Sequence, residues 1–138
     1  MAMNAVELKA SEDGATLTFA VTSRSSEETS FDVLVKTPWF SGKAPASTYF
    51  SGSPAMLFRE MASEWKGWEK PKTWADLEDR VRLSATSDST GHIRVAVELR
   101  GADYESGLKA TLVYEAGQLE RMASEVASLL PETATNAP

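Results

Sequence analysis

The chain has 138 residues, 42% of them hydrophobic, which is enough for one packed domain core. Its 20 acidic against 14 basic residues give a net charge of −6, which opposes nucleic-acid binding and suits a basic protein partner. It contains no cysteine, so disulfides, thiolate nucleophiles and cysteine-zinc sites are excluded, and the composition fits a reducing compartment.

Residues 1–14 lack a positive start and an apolar core, and no stretch of the chain is apolar enough to span a membrane. A cytoplasmic protein without membrane attachment is expected. Val6, Leu8 and Ala10 alternate with polar residues, the period of a half-buried strand. Glu12-Asp13-Gly14 turns the chain, and Leu17, Phe19 and Val21 resume the alternation. After a polar loop, Phe31, Val33 and Val35 mark a third strand.

Residues 38–53 are punctuated by Pro38, Gly42, Pro45 and Gly52, with a short strand expected near residues 47–50. Two aromatic pairs, Trp39-Phe40 and Tyr49-Phe50, obey no period. Ser53-Pro54 then reads as a helix start, because the serine oxygen accepts a free N–H and proline has none to lose. Phe58, Met61, Ala62 and Trp65 fall on one helical face, and Gly67 ends the helix. Three further strands follow, with Val81, Leu83, Ala85, then Ile93, Val95, Val97, Leu99, then a run at 108–114. A second helix over about 117–130 carries Leu119, Met122, Ala123 and Val126 on one face. The tail at 131–138 lacks large apolar groups and is expected to be disordered.

The chain repeats itself. LFREMASEW at 57–65 echoes QLERMASEV at 118–126, and Val6, Leu8, Ala10 echo Val81, Leu83, Ala85. These echoes predict a duplicated βββα unit, 5–66 and 79–130, within one domain over 1–130, with 38–53 as an insertion in the first copy. Each strand has one apolar face. The expected fold is therefore α+β in two layers: one antiparallel sheet of about six strands with two helices on one face.

No catalytic or cofactor motif is present. His92 is the lone histidine, beside a turn that also holds Asp88, and reads as a turn residue rather than a metal ligand. Acidic pairs such as Asp76 with Asp79 read as solvated helix faces. The candidate binding residues are therefore aromatic: Trp39, Phe40, Tyr49 and Phe50 on the insertion, and Trp68 and Trp74 in the tryptophan run 65–74. Aromatics of this kind are enriched where proteins meet partners.

The residues LF at 57–58, EWKGW and Trp74 within 64–74, GHIRVAVEL at 91–99, and Leu119 with Ala123 carry a resemblance to an uncharacterised small bacterial family of unknown function, frequent in actinobacteria. The pattern is also similar to that of small immunity proteins that neutralise bacterial toxins, which are acidic, cysteine-poor α+β chains. The family carries no established activity and no residue role to transfer; the net charge of −6, the lack of catalytic motifs and the aromatics at 38–53 point to binding of a protein partner, such as a basic toxin, without a cofactor. The expected function is that of a small acidic binding protein. The open polar face of the sheet also leaves room for a second copy of the chain. The alternative is an enzyme or small-ligand binder with a pocket between sheet and helices, using His92 or sheet-face arginines.

Overall fold

The structure is a computed structural model and describes residues 4–132. Its strands are β1 (Ala5–Lys9), β2 (Thr16–Arg24), β3 (Thr29–Lys36) and β4 (Ser41–Ser47), then helix α1 (Ala55–Ser63). The second half repeats that order with β5 (Lys72–Ala75), β6 (Val81–Ser87), β7 (His92–Arg100) and β8 (Gly107–Glu115), a short 3-10 turn, and α2 (Leu119–Leu129). Strands pair antiparallel in sequence order within two separate sheets, β1-β2-β3-β4 and β5-β6-β7-β8.

This overturns the expectation of one six-stranded sheet with helices on one face. The repeated unit is four strands and a helix in each half, not three. The segment at 38–53 is no insertion: it carries β4, whose counterpart by order is β8. The echo between residues 6–10 and 81–85 therefore joins β1 to β6, strands that hold different places in their sheets.

Both missed strands lack the usual alternation of large apolar residues. The inward positions of β4 are Gly42, Ala44 and Ala46, and β5 contributes the single ring of Trp74. Small residues are required on β4 because the second sheet comes close. A Cβ at Gly42 would stand 3.3 Å from Leu108 Cδ1, tighter than ordinary van der Waals contact.

Each sheet buries one face, and the two faces share one core completed by the helices. Leu17, Phe19, Phe31 and Val33 meet Trp74, Leu83, Val95 and Val97 there. Phe58 on α1 sets its ring edge-on to Phe19, centroids 6.0 Å apart, and Phe31 lies 6.1 Å from Trp74. The helices pack on each other, α2 also against β1 and α1 against β5. Of the two expected helix stripes, Phe58, Met61, Leu119, Met122 and Val126 are buried. Trp65 is not: α1 ends at Ser63, so the residue seven places after Phe58 leaves the helical register and is 56% exposed.

Polar side chains close the helix ends. The Ser53 hydroxyl oxygen accepts the Ala55 N–H at 3.0 Å and donates its own proton to the Leu130 carbonyl, tying the start of α1 to the end of α2. Arg24 donates to the Leu129 carbonyl at 3.0 Å, a cation at the negative end of α2. Glu115 and Gln118 form a reciprocal capping box ahead of α2. Of the tail expected to be disordered, residues 133–138 lie outside the described residues, while Glu132 is held by Arg59 at 2.7 Å.

Candidate functional site

The strand β4 is a sheet edge with one aromatic corner at each end. At the first corner Thr37 closes a turn: its hydroxyl oxygen accepts the N–H groups of Trp39 and Phe40, at 3.1 and 2.9 Å. The backbone is thus fixed without help from the rings. Trp39 is 83% exposed and Phe40 71%. At the second corner the Ser47 hydroxyl accepts the Tyr49 N–H at 2.9 Å and donates to Glu28 Oε1 at 2.7 Å. Phe50 follows with φ of 65°, the left-handed region, and is 84% exposed. A bulky ring in that conformation is an outlier, and it gains little burial in exchange.

The corners are not one patch. Seven strand residues separate them, roughly 20 Å at a rise of about 3.3 Å per residue. The other two candidates lie elsewhere. Trp74 is buried in the shared core and donates its indole N–H to the Gly52 carbonyl at 3.1 Å, so it is closed to a partner. Trp68 is half-buried, with its indole donating to the Ala85 carbonyl at 3.1 Å and Lys72 Nζ 5.4 Å from its ring centre. Lys72 in turn pairs with Glu64 at 2.8 Å. The tryptophan run is thus mostly a brace between α1 and the second sheet, with Trp65 left outside.

Next to the second corner lies a cleft of about 290 Å³ that the sequence did not disclose. It opens between the ends of β2, β3 and β4 and the turn joining β5 to β6. Tyr49, Leu77 and Pro45 supply apolar walls, and Glu28, Asp76 and Glu78 supply three carboxylates with no basic group among the lining residues. Asp76 and Asp79 do not sit on a solvated helix face. They belong to the β5–β6 turn, and Asp76 is only 8% exposed. Its Oδ1 accepts the N–H groups of Arg80 and Val81 at 2.8 and 3.0 Å. That turn-closing aspartate was legible as a residue type but not as a buried one.

A second groove lies between the end of α1 and the start of α2, lined in part by Trp65, Ala116 and Leu119. Neither of these two cavities is lined by His92 or an arginine, whereas two smaller ones at the end of β7 include Arg100. His92 begins β7 at the β6–β7 turn, where Asp88 Oδ1 accepts the N–H groups of Thr90 and His92. Its Nδ1 is 2.8 Å from Thr90 Oγ1 and its Nε2 3.4 Å from Glu115 Oε2. The Thr90 hydroxyl, with the His92 and Thr90 N–H groups, lowers the Asp88 carboxyl to about 2. Among the described residues no group of three or more histidines and carboxylates is placed to hold a metal ion. No helix among them is long and apolar enough to cross a membrane.

The profile of a family of unknown function, DUF6228, matches residues 8–133. The chain belongs to this family. The match takes in both sheets and both helices, so a DUF6228 domain includes the aromatic corners as well as the region 55–130 that carried the resemblance. No curated protein matches. Among solved structures, a chain in the crystal structures of MRP1/MRP2 from Trypanosoma bruciei is similar, with a TM-score of 0.50 and 11% identity over 90% of this chain and 84% of that one. At that identity the likeness concerns the fold alone.

Proposed function

We propose that this DUF6228 chain is a binding protein that engages a basic protein partner through the corners at the two ends of β4. The carrying observation is the adjacent pair Trp39 and Phe40, both more than 70% exposed on a turn whose geometry does not need them. Large aromatics left in water at no structural benefit mark contact surfaces, and they dominate binding energy at interfaces. The second corner adds Phe50, held in an unfavourable backbone conformation. The net charge of −6 favours a basic partner over a second copy of this chain, since two acidic surfaces repel. An immunity-type action, in which the chain occludes a basic toxin, is the specific form supported by that charge and by the lack of catalytic motifs. The absence of cysteine supports a cytoplasmic setting.

The test compares affinity capture from native cells by the wild-type chain, the Trp39→Ser/Phe40→Ser variant and the Phe50→Ser variant. A specific basic partner should be lost at least tenfold from a corner variant whose melting temperature is unchanged. Full retention of every specific partner by both variants would reject the reading.

A further inference from the structure

We infer that the open stretch of β8 is a strand-addition site, along which a protein partner lays an extended segment as a further strand of the second sheet. The inference rests on the partner-binding reading above and gives the form of one of its contacts.

β8 lies at the edge of its sheet, paired only with β7. The backbone groups of an antiparallel strand point alternately toward the neighbour and away from it. The Gly101 N–H donates to the Ser106 carbonyl at 2.8 Å, and the Ala116 N–H to the Gly91 carbonyl at 2.9 Å. Those two bonds fix the phase at both ends of the β7–β8 pair. Leu108, Ala110 and Leu112 therefore face β7, whereas Gly107, Lys109, Thr111 and Val113 face away. The chain itself uses the outward side once. The Ser11 N–H donates to the Val113 carbonyl at 2.9 Å and the Ser11 hydroxyl at 3.0 Å, which is the first rung of an added strand. Beyond that rung Gly107, Lys109 and Thr111 are exposed, and no hydrogen bond among the described residues reaches their outward groups.

The other three sheet edges are closed to such pairing. On β4 the Thr37 N–H donates to the Phe40 carbonyl at 2.8 Å, which sets Pro45 in an outward position, so that edge lacks a donor near its middle. β5 has four residues and follows Pro71. β1 has five, α2 packs against it, and Gln118 holds its Lys9 carbonyl at 3.0 Å. β8 has nine residues and no proline. Sheets shield their edges by shortness, proline and charge, and the open stretch of β8 carries only Lys109. Lys109 stands on the solvent face opposite Glu98, so it does not close the edge to every strand. It opposes a second copy, because two β8 edges paired about this position set lysine against lysine, and the net charge of −6 adds to that repulsion. The occupant is therefore another protein.

The side chains define the segment. Leu108 and Ala110 pack against the core but are only half-buried, so an added strand would cover them with alternate apolar residues. Its intervening residues would stand beside Lys109 and Thr111 and are polar. The open stretch also reaches the first aromatic corner. Gly107 and Leu108 line one groove with Ser41 and Gly42, and Ser41 directly follows Phe40. A partner seated on Trp39 and Phe40 thus has the strand edge beside it. In this mode main-chain bonds supply affinity and side-chain contacts supply specificity.

The probe is a blocked alternating peptide, acetyl-Lys-Val-Thr-Val-Thr-Val-Lys-amide, whose basic ends suit an acidic chain. The control peptide has proline in place of each threonine, which removes the N–H groups that would face β8 while the valines cover Leu108 and Ala110. Binding is read by nuclear magnetic resonance as amide hydrogen exchange on the full chain. The Lys109 and Thr111 N–H groups should exchange quickly alone and slow by about tenfold or more with saturating probe, and not with the control. Thr111→Pro removes an N–H that makes no bond to β7, and should weaken probe binding by about fivefold or more at an unchanged fold. Should that variant fail to fold, the wild-type exchange with the two peptides decides the matter. Unslowed exchange at Lys109 and Thr111, equal slowing by the control, or wild-type affinity in a folded Thr111→Pro variant would overturn the inference. Slowing at the same N–H groups that grows with protein concentration in the absence of peptide would assign the edge to a second copy and overturn the partner assignment. The titration needs no natural partner, so its failure leaves the reading of the aromatic corners standing, and the failure of that reading leaves the titration standing.

Discussion

The Tyr114 hydroxyl donates to the Leu8 carbonyl at 2.9 Å, joining the last strand of one sheet to the first strand of the other across 106 positions. The neighbouring contacts repeat the connection, with the Ser11 N–H reaching the Val113 carbonyl at 2.9 Å and Gln118 reaching the Lys9 carbonyl at 3.0 Å. These bonds fasten the outer edge of β1 to the end of β8.

Replacing Tyr114 with phenylalanine keeps the ring and removes the bond, and should cost about 0.5–1.5 kcal/mol in chemical denaturation. Burial pushes the Tyr114 phenol above its ordinary value. A raised pKa in the folded state means the unfolded chain releases the proton first. Stability from this group is complete below about pH 10 and falls as pH rises beyond it. The wild-type protein should therefore lose stability faster than the Tyr114→Phe variant between about pH 9 and 11. Parallel curves would mean that the phenol is not the group responsible.

The helix pair gives a sharper contrast. Leu119 and Met122 are buried, whereas Trp65 is 56% exposed just past the end of α1. Leu119→Ala or Met122→Ala should cost about 2–5 kcal/mol, through lost burial and the cavity left behind. Trp65→Ala should stay within about 0.5 kcal/mol of wild type. A large loss at Trp65 would show that the groove between the helices depends on that ring.

The same contrast explains what was readable in the sequence. Residues such as Phe31, Val33, Val35 and Val81, Leu83, Ala85 alternate with polar neighbours, so β3 and β6 are visible by period. β4 was hidden because its core-facing positions had to shrink to Gly42, Ala44 and Ala46 where the second sheet approaches. Close packing between sheets and a clear apolar period made opposite demands on that strand, and packing prevailed. Losing β4 and β5 turned an eight-stranded arrangement into an apparent six-stranded one with an insertion. The aromatic corners were visible because exposed rings break every period, but their separation along β4 depends on a strand the pattern did not reveal. The cleft was hidden for another reason: Asp76 is brought to Glu28 by the packing of one sheet against the other, and no spacing records that.

At the β6–β7 turn, the Thr90 hydroxyl is the foremost cause of the low Asp88 carboxyl, about 2, ahead of the N–H groups of His92 and Thr90. Replacing Thr90 with valine should raise the Asp88 value while leaving it below that of a free aspartate, because both N–H donors remain. The sign follows from the depressed value. The contribution is present above the ordinary carboxylate range and is lost as pH falls through about 2. A side-chain carboxyl titration by nuclear magnetic resonance measures this, and an unchanged Asp88 in the Thr90→Val variant would remove the hydroxyl from the account.

Phe50 offers the closest test of function against stability. Its φ of 65° is one that glycine adopts freely and a ring-bearing residue does not, and the ring is 84% exposed. The folded state therefore carries a backbone cost that burial does not offset. Phe50→Gly removes this cost but gives the unfolded chain more freedom, so the two effects oppose each other and the net change should lie within about 1 kcal/mol. Phe50→Asn tolerates the left-handed region without glycine's freedom in the unfolded chain, and should be neutral or stabilising by up to about 1 kcal/mol. Phe50→Val places a β-branched residue there and should destabilise the protein. If the ring is kept for contact, the glycine and asparagine variants should bind the partner more weakly at equal or greater stability, by about 1 kcal/mol or more for a hot-spot residue. If binding instead followed stability through all three variants, the ring would have no contact of its own, and the second corner would be only a turn that supports the cleft.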